Sequence, residues 1–518
     1  MVKYSEVSGV GFMKRIFVII AMAIVALFVY TITILQYTYI SQLAAIFPSR
    51  IALYTVSGFF WLGALIIVVR VLLNPSYAYN KSYWILILVL NPIMGVFLYY
   101  IFARDFQTKR FWKTRPLIAN KAFLGLEETG IVEYDKYEFG DVFKYIRNIT
   151  KRAVYQDDTS VEILNNGDEF FPKLIFELNK AREYIFMEFY IVKNDFIGKQ
   201  VLDILKEKAV AGVDVYLIYD HFGSNKHLHY HYMKKLYKAG VKVGVFDPQT
   251  ISILNSNVNF RNHRKAIVID GKVGFVGGMN LGDEYNHQDL RFGFWRDTHV
   301  MMKGNGVSSI QNVFVKDWYY IKNQVLDKPL DKTKYNFPGL LSIIESGPDF
   351  ENGLIRDTYL KMIVTAKKNI KITTPYLIIE PEFMSALAIA AKSGVKIQLL
   401  VPGKHDFFTV GFATKSYYEQ LLMLGVEIYE YKETFVHSKI LIIDDLLASV
   451  GSVNIDPRSF HLNFEVTAIF INKAVHDLVS SFQEDIKKSL RIELADWRKR
   501  SITQRIIQGW FNLFSPMF

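Results

Sequence analysis

Apolar residues are concentrated at the start of the chain, where residues 16–49 contain no charged side chain. This region contains three apolar segments, residues 16–35, 51–69 and 83–102. A segment of about 20 apolar residues can cross a bilayer as a helix. Asn91-Pro92 interrupts the third segment, which indicates a kinked, shallow or re-entrant helix, or else a buried helix of a soluble domain. We therefore predict that residues 1–115 form a membrane anchor of two or three apolar helices.

A cleaved signal peptide is the alternative for the first segment, because Lys14 and Arg15 precede it. The apolar run is longer than a signal peptide needs and lacks a clear small-residue cleavage site, so we favour a retained anchor. If the third segment does not fully cross the membrane, the basic residues that flank the three apolar segments, other than Arg50, lie on one side of it. The positive-inside rule assigns that side to the cytoplasm. The sequence therefore predicts a multi-pass protein of the cell membrane with cytoplasmic catalytic domains.

Beyond residue 160 the same order of sequence elements occurs twice. The corresponding stretches are AREYIFMEFYIV (181–192) with AKKNIKITTPYLI (366–378), AVAGVDVYLIYD (209–220) with AAKSGVKIQLLVPG (390–403), and KLYKAGVKVGVF (235–246) with LLMLGVEIYEY (421–431). Apolar β-branched runs alternate with helix-like stretches, which indicates βα units and mainly parallel sheets. We predict an α/β fold with two homologous halves, residues 161–345 and 346–495, after a connecting region at 116–160. A chain of 518 residues also exceeds what one hydrophobic core usually organises.

Each half contains the pattern HxKxxxxD. The first copy lies in RNHRKAIVIDGKVGFVGGMN (261–280) and the second in VHSKILIIDDLLASVGSVN (436–454). Because side chains alternate along a strand, His263 and Lys265 point to one face and Asp270 points to the other. The second copy has the same parity at His437, Lys439 and Asp444. We predict all six as catalytic residues, with the two Asp supporting the site from behind and capping a turn.

Small residues and an asparagine follow both motifs at equal offsets. Glycine at the end of the returning strand lets the backbone approach a ligand closely. The next polar side chain in line is an asparagine, whose amide can donate hydrogen bonds. The predicted substrate-binding residues are Gly278 and Asn280 in the first half, and Ser452 and Asn454 in the second.

Two His and two Lys around one cleft suit a phosphodiester substrate. The lysines neutralise the non-bridging oxygens and the added charge of a pentacovalent transition state, while the asparagine amides donate hydrogen bonds. One neutral histidine attacks phosphorus to give a phosphohistidine; the other, protonated, supplies a proton to the leaving alkoxide and later accepts one from the incoming alcohol. Asp297 in FWRDTH and Glu465 in LNFEV are predicted to orient the imidazoles, with a surface or strand-end acid as the alternative for each.

Three further histidines, His227, His229 and His231 in HLHYHY, raise the possibility of a metal site. The chain has no cysteine, no HExxH and no carboxylate at a convincing ligand spacing. We therefore expect a solvated helix or loop there, and a reaction that uses no metal and no other cofactor.

The formal net charge of +11 is compatible with a nucleic acid or an anionic membrane as partner. Basic residues cluster next to the third apolar segment (103–115) and near the C-terminus (497–505), which favours the membrane. Residues 496–518 are predicted to be amphipathic, as an interfacial helix or as a helix packed on the domain. The predicted apolar stripe consists of Ile502, Ile506, Trp510 and Leu513.

These motifs resemble those of the phospholipase D superfamily, and the chain is similar to the bacterial cardiolipin synthases. The resemblance covers almost the whole chain and includes NPIMGVFLYYIFARD (91–105), GFWRDTH (293–299) and GSVNIDPRSFHLNFE (451–465). It implies two phospholipase D-like sandwich domains with pseudo-two-fold symmetry. It also implies transfer of a phosphatidyl group between two phosphatidylglycerol molecules, without metal or nucleotide, giving cardiolipin and glycerol. His263 would be the nucleophile and His437 the general acid and base.

Other functions remain open at this point. A phospholipase D-type hydrolase would share every catalytic residue, and a phosphatidyltransferase could use another alcohol as acceptor. A nuclease would gain little from the apolar segments, and a lipid-binding module without activity would not need both His-Lys pairs. The expected partners are phosphatidylglycerol and cardiolipin in the membrane, and we expect no nucleic acid.

Overall fold

A computed structural model describes residues 50–73, 78–102, 132–247, 260–289, 293–331, 333, 335–350, 353–432 and 435–513. The chain divides into two units, residues 1–107 and 108–518. The first predicted apolar segment, residues 16–35, lies outside the described residues. The predicted domain boundaries at 115 and 160 remain predictions.

The described part of the N-terminal unit is helical. Its helices are α1 (Arg50–Leu73), α2 (Ala78–Leu90) and α3 (Pro92–Phe102). The third predicted apolar segment is thus divided in two, because Pro92 has no N–H to continue a helix but fits the first position of a new one. Met94 N donates to Asn91 Oδ1 at 3.0 Å. Among the residues described, no helix combines the length and the apolar character needed to span a membrane, so the predicted transmembrane helices at 51–69 and 83–102 find no support there.

The first half of the larger unit is built on a sheet of seven strands. In spatial order these are β2 (Thr159–Asn165), β9 (Thr298–Gly304), β7 (Val273–Gly277), β6 (Ala266–Ile269), β3 (Tyr184–Phe189), β4 (Asp214–Asp220) and β5 (Lys242–Phe246). The helices of this half are α5 (Asn166–Lys180), α6 (Phe196–Val210), α7 (His221–Ser224), α8 (Tyr230–Lys238) and α9 (Val307–Lys322).

The second half repeats this order and adds one strand at each edge. Its nine strands are β1 (Tyr155–Gln156), β10 (Leu340–Ser346), β17 (Glu465–Ile471), β16 (Leu447–Gly451), β15 (Ile440–Ile443), β11 (Asn369–Thr373), β12 (Lys396–Pro402), β13 (Glu427–Tyr431) and β18 (Ser489–Ile492). The predicted boundary between residues 345 and 346 therefore cuts β10, which pairs with β17 in the second sheet.

The helices around the second sheet are α4 (Gly140–Thr150), α10 (Leu354–Thr365), α11 (Pro381–Lys392), α12 (Phe408–Ser416), α13 (Tyr418–Met423), α14 (Pro457–His461), α15 (Ala474–Lys487), α16 (Leu494–Trp497) and α17 (Ile502–Leu513). Short 3-10 turns lie at Tyr134–Lys136 and Asp283–Asn286. The α14 helix begins after Asp456, whose carboxylate accepts from Ser459 N at 2.6 Å, with Pro457 at the first position.

The sheets are mixed rather than mainly parallel, which corrects the prediction. In the first half only β3–β4 and β4–β5 are parallel, and the four other pairings are antiparallel. The motif strand β6 returns as β7 through a tight turn in which Asp270 and Gly271 have φ of 52° and 63°. Such a turn joins neighbouring antiparallel strands, whereas a parallel connection needs a crossover helix.

The two sheets share one apolar core. Val268 on β6 and Val276 on β7 belong to the same buried cluster as Ile442 on β15 and Val466 on β17. Separate clusters on the outer sides of the sheets bury the helices of each half, such as Leu205 of α6 in the first and Met362 of α10 in the second. The larger unit is therefore a sandwich of helices, two sheets and helices, with an internal repeat.

Candidate active site

The two motif segments pair with strands of the opposite half. His263 N donates to Phe464 O at 2.9 Å, next to Glu465. His437 N donates to Arg296 O at 2.6 Å, next to Asp297, where the short strands β8 (Trp295–Arg296) and β14 (Phe435–Val436) pair in parallel. Each histidine is thereby placed beside a carboxylate from the other half.

His263 is held by Glu465. Its Nδ1 lies 3.0 Å from each carboxylate oxygen of that glutamate. Because the carboxylate only accepts hydrogen bonds, the ring proton belongs on Nδ1, and Nε2 carries the lone pair. Burial would raise the pKa of Glu465, but the neighbouring His263 and Lys265 and a hydrogen bond from Ser452 lower it. A buried, ionised carboxylate therefore fixes the tautomer of this imidazole.

His437 is held by Asp297 in the same way, with Nδ1 2.6 Å from Oδ2. Lys439 Nζ lies 2.9 Å from the same ring nitrogen. Nδ1 cannot donate to the carboxylate and accept from the ammonium group at once. The contact with Asp297 is shorter, and His437 and Lys439 lower the pKa of this aspartate to about 2 in spite of its burial. We therefore assign the Nδ1 proton to the hydrogen bond with Asp297.

The motif lysines are buried beside these histidines. Lys265 Nζ donates to His263 O at 2.7 Å, and Lys439 Nζ donates to His437 O. Burial lowers the pKa of Lys265 to about 7 and that of Lys439 to about 8. Burial outweighs the attraction of Glu465 and Asp297, which acts to raise the pKa of both lysines. An anionic substrate would restore their charge.

The two histidine clusters form one site. Lys439 lowers the pKa of His263, and Lys265 lowers the pKa of His437, so each ammonium group acts electrostatically on the histidine of the other half. Burial is the larger cause of both shifts and brings the pKa of His437 to about 3. The crossed pairings described above connect the same elements. The predicted arrangement of two His-Lys pairs around a shared centre matches these contacts.

Asp270 and Asp444 are held at the far ends of the motif strands by backbone N–H groups, and a catalytic role for them stays a prediction. Asp270 accepts hydrogen bonds from three consecutive backbone N–H groups at Arg182, Glu183 and Tyr184, at 2.8–2.9 Å. Asp444 accepts in the same manner from residues 367–369 at 2.7–2.8 Å. Each aspartate thus joins the end of the motif strand to the start of the neighbouring strand. This contact fits the turn-capping role predicted for both residues.

Gly278 and Ser452 lie behind the carboxylates rather than facing a ligand. A Cβ atom on Gly278 would lie 2.2 Å from Asp297 Oδ1, so glycine is needed for the carboxylate to fit. Ser452 Oγ donates to Glu465 Oε2 and also accepts from Val466 N at 3.1 Å. Both residues thus support the two carboxylates, and their role in substrate binding stays a prediction.

The two asparagines differ in their surroundings. Asn280 Oδ1 accepts from Ile191 N at 3.0 Å, and its Nδ2 donates to Tyr285 Oη at 2.5 Å. Asn454 is buried, and its Oδ1 has no hydrogen-bond partner among the described residues. Asn280 is thus engaged in the local fold, whereas Asn454 retains hydrogen-bonding capacity for a ligand.

Aromatic residues surround the histidines, and the sequence motifs did not indicate them. The ring of Tyr190 lies edge-on to His263 at 5.1 Å. His437 lies 5.3 Å from Trp295 and 5.9 Å from Tyr285, measured between ring centroids. Trp295 lies two residues before Asp297 in the sequence. That proximity is the feature of the sequence that could have indicated an aromatic residue at the site.

Arg264, between the two motif residues of the first half, anchors the site from behind. Its Nε donates to Glu465 O at 3.2 Å, and its guanidinium group pairs with Asp317 and, at 3.4 Å, with Glu345. Burial with only 2 % exposure would be costly for this cation without those acids. Asp317 and Glu345 interrupt apolar segments of α9 and β10. Acidic residues in apolar segments are the feature of the sequence that could have indicated a buried ion network.

The histidines of HLHYHY are exposed at the surface, as expected for a solvated segment. Within the described ranges, no group of three or more His, Cys, Asp or Glu side chains is arranged to hold a metal ion.

Comparison with known proteins agrees with the repeated fold. A family model described as "Cardiolipin synthase, PLD-like domain" matches residues 174–318 and 359–489. The chain is 38 % identical over 444 residues to cardiolipin synthase 2 of Bacillus anthracis, covering 84 % of this chain and 86 % of that protein. It is 36 % identical over 492 residues to the cardiolipin synthase of Geobacillus kaustophilus, covering 90 % and 97 %.

A solved structure shows the same fold. The phosphatidylserine synthase of Haemophilus influenzae superposes with a TM-score of 0.55 at 14 % identity, covering 73 % of this chain and 97 % of that one. The two matched domains, the identity over most of the chain and the shared fold lead to one conclusion. The chain belongs to the cardiolipin synthase family, whose members contain phospholipase D-like domains.

Proposed function

We propose that this phosphatidyltransferase moves a phosphatidyl group from one phosphatidylglycerol molecule to another, giving cardiolipin and glycerol. The observation that carries the proposal is the crossed pair of dyads, His263 with Glu465 and His437 with Asp297, beside two buried lysines. Two imidazoles of fixed tautomer and two ammonium groups supply a nucleophile, an acid and the charge that a phosphodiester needs. The relatives named cardiolipin synthase agree with this chemistry.

In the first step, Nε2 of His263 attacks phosphorus of the donor lipid. The bond between phosphorus and the glycerol headgroup oxygen breaks, and Nε2–H of His437 gives its proton to that oxygen. Glycerol leaves, and the phosphatidyl group is bound to His263. Lys265 and Lys439 stabilise the charge on the phosphoryl oxygens during the transfer.

In the second step, a hydroxyl of the acceptor phosphatidylglycerol attacks the same phosphorus. His437, now neutral, takes the hydroxyl proton as the new bond forms and the phosphorus–nitrogen bond breaks. Cardiolipin leaves, and His263 and His437 return to their starting protonation states, so the reaction needs no other proton donor.

The protonation of His437 depends on the substrate. Burial and the charge of Lys439 lower the pKa of His437 to about 3, so its ring is neutral before the substrate binds. A bound phosphodiester adds negative charge beside the ring and offsets the lysine charges, which raises that pKa. Asp297, already ionised, then pairs with the imidazolium. The acid is thus formed only when there is a leaving group to protonate.

Transfer to an alcohol, rather than hydrolysis, is favoured by the surroundings of the histidines. The rings of Trp295, Tyr285 and Phe435 lie within 6 Å of the His437 ring, measured between centroids. An acceptor lipid that occupies such a cleft brings its hydroxyl group at high effective concentration and displaces water.

We also propose that the protein acts at the cell membrane with its catalytic unit on the cytoplasmic side. The proposal is supported by the lipid substrates, the uncharged run at residues 16–49 and the excess of basic residues. A cysteine-free chain allows a direct test. A single Lys487→Cys, on an exposed face of α15, should react with a membrane-impermeant maleimide only after cells are lysed. Reaction in intact cells would place the unit outside.

Product analysis tests the transfer reaction. Purified protein in phosphatidylglycerol vesicles should release one glycerol for each cardiolipin, and His263→Ala should release neither. Phosphatidic acid as the sole lipid product would assign a hydrolase instead. If a lipid with another alcohol headgroup is added and its conjugate replaces cardiolipin as the main product, the acceptor is wrongly assigned.

A further inference from the structure

The last described helix, α17, lies against the second half through one face. Asn512 Nδ2 donates to Ser416 Oγ of α12 at 2.6 Å, and the ring of Phe511 stacks on Phe412 with centroids 5.7 Å apart. Gln508 on the same face is buried. These contacts hold the helix in a fixed orientation on the domain.

The opposite face of α17 is apolar and exposed. Its side chains recur every three or four residues and therefore form one stripe along the helix. The stripe consists of Ile502, Ile506, Trp510 and Leu513, each 53–59 % exposed. The helix is thus both packed on the domain and amphipathic. One face fits the predicted helix packed on the domain, and the other fits the predicted interfacial helix.

Exposed apolar side chains also lie at the start of α12, the helix on which α17 packs. Phe407 and Phe408 are 62 % and 71 % exposed, and the ring of Phe408 lies edge-on to Phe511 with centroids 6.0 Å apart. Together with the four residues of the stripe they form what we call the C-terminal apolar surface. Six large exposed apolar side chains in one patch exceed the scattered apolar residues normal for a protein surface and indicate a contact site.

This surface begins at the rim of the active site. Asp406, immediately before Phe407, accepts a hydrogen bond from Tyr376 Oη at 2.5 Å. Lys439 is close enough to act on the pKa of Asp406, although burial is the larger influence. The loop that presents the two phenylalanines is therefore part of the wall around the catalytic lysine.

The first half presents an exposed phenylalanine at the corresponding position. Phe222 follows β4 as Phe407 follows β12, and it is 57 % exposed. The guanidinium group of Arg261, two residues before His263, lies 4.9 Å from its ring centroid. Exposed aromatic rings thus lie beyond the equivalent strands of both halves, next to the residues that lead into the site.

The charge of the C-terminal segment identifies the kind of partner. Residues 497–513 contain four basic residues and no acidic residue, and three of the four pair with neighbouring acids: Arg498 and Arg500 with Glu419, and Lys499 with Asp496. Lys499 is three-quarters exposed, and Arg505 is exposed directly before Ile506 in the stripe. Anionic headgroups above an apolar layer match both the exposed guanidinium group of Arg505 and the apolar side chains beside it.

We propose that the C-terminal apolar surface docks on an anionic phospholipid bilayer, with Ile506 and Trp510 inserted below the headgroups and the mouth of the active site against the lipid. The inference rests on the proposed function, because it gives a lipid substrate a route from the bilayer to His263 and His437 along apolar side chains. It goes beyond that function by naming the surface that meets the membrane.

Site-directed spin labelling tests the proposal in the full chain. Because the chain has no cysteine, Ile506→Cys creates a single labelling site, and Gln504→Cys gives a matched control on the same helix, exposed but on another face. In vesicles containing phosphatidylglycerol, a nitroxide at 506 should be more accessible to oxygen than to a water-soluble nickel reagent. The nitroxide at 504 should show the reverse. Because any N-terminal anchor would affect both variants equally, a difference between them reports on the orientation of this helix.

Two results would overturn the docking surface. In one, both nitroxides remain in water when lipid is present. In the other, dipolar coupling between 506 nitroxides of two molecules, with no increase in oxygen accessibility, would show that a second copy covers the surface. Neither result depends on catalysis, so a failure of the proposed reaction is recognised separately by product analysis.

Activity on two physical forms of the substrate gives an independent measurement. Trp510→Glu should lower the rate on phosphatidylglycerol vesicles by about tenfold or more, because a carboxylate cannot enter the apolar layer. The rate on short-chain phosphatidylglycerol below its micelle concentration should be unchanged. Val210→Glu, at an exposed apolar position that ends α6 in the first half, is the control and should alter neither rate. Equal loss with both substrate forms would contradict docking.

Discussion

His263 depends on Glu465, a carboxylate supplied by the other half of the duplicated chain, whose two oxygens each lie 3.0 Å from Nδ1 of the ring. The relationship between His437 and Asp297 repeats this contact in the opposite direction. Each motif histidine therefore takes its carboxylate partner from the other half. The duplication explains why the motif occurs twice in a chain with one active site.

Replacing Glu465 by Gln should impair catalysis without unfolding the chain. The amide keeps the shape of the side chain but can no longer hold the Nδ1 proton as a charged acceptor, and it permits the wrong tautomer of His263. We expect kcat to fall by about 100-fold to 10,000-fold, the range for loss of an orienting carboxylate. Glu427→Gln, a partly exposed glutamate on β13, is the control. A loss of less than about tenfold would remove Glu465 from the mechanism.

A substrate with a good leaving group should separate the roles of the two histidines. Phosphatidyl p-nitrophenol releases nitrophenolate without a proton donor, so His437→Ala should release one nitrophenolate per chain and then stall for lack of a base. His263→Ala should release none. Stopped-flow absorbance measures both. A burst in His263→Ala, with none in His437→Ala, would exchange the assignments.

Asp444 should contribute to stability rather than to chemistry, because it accepts three backbone hydrogen bonds away from the site. Asp444→Asn should reduce the free energy of unfolding by about 1–3 kcal/mol through the loss of a charged acceptor. Asp445→Asn is the neighbouring control; its carboxylate pairs with Lys371 and is partly exposed, so we expect a smaller loss. Thermal unfolding and kcat per folded molecule distinguish the roles. Normal stability with lost kcat would make Asp444 catalytic.

The activity should fall as the pH rises above neutral. Burial lowers the pKa of Lys265 to about 7 and that of Lys439 to about 8 from the ordinary value of 10.5, so the free enzyme loses its cationic anion site in this range. The pH profile of kcat/KM should decline above about pH 7. Lys265→Arg should shift the decline to higher pH, since arginine stays charged. An unshifted profile would assign the decline to another group.

Stability should change in the opposite direction over the same interval. Between pH 7 and 10 the unfolded chain keeps both lysines protonated, whereas the folded chain has released protons from them. Because the unfolded state binds more protons, the contribution of these two lysines to the free energy of unfolding rises with pH. Replacing both by methionine should flatten the profile of thermal stability from pH 7 to 9. An unchanged slope would mean that the lysines are not buried as described.

The motifs predicted the chemistry of the site better than its architecture. Asp297 and Glu465 were identified as partners of the histidines, but spacing along the chain does not indicate which half a carboxylate will meet. That pairing depends on the two sheets packing face to face. The alternation of side chains along a strand predicts that Asp270 and His263 point to opposite faces. It cannot show that the Asp270 carboxylate accepts hydrogen bonds from three backbone N–H groups. The network of Arg264 depends on contacts with distant residues and was not predicted.

The glycines and asparagines show the same limit. Gly278 fits a pattern for ligand approach, yet the atom it accommodates is a carboxylate oxygen of Asp297. Asn280 and Asn454 occupy equivalent positions, but Asn280 donates to the hydroxyl of Tyr285, whereas Asn454 Oδ1 has no hydrogen-bond partner in the described part of the chain. Equivalent sequence positions therefore acquire different roles once the surrounding loops differ.

The most direct test of a single site with divided roles is the number and position of covalent adducts. Protein mixed with phosphatidylglycerol and quenched within one turnover should carry one phosphatidyl group per chain by intact mass spectrometry under mildly alkaline conditions, and peptide mapping should locate it on His263. Two adducts per chain, on His263 and His437, would show two independent sites and would contradict the account.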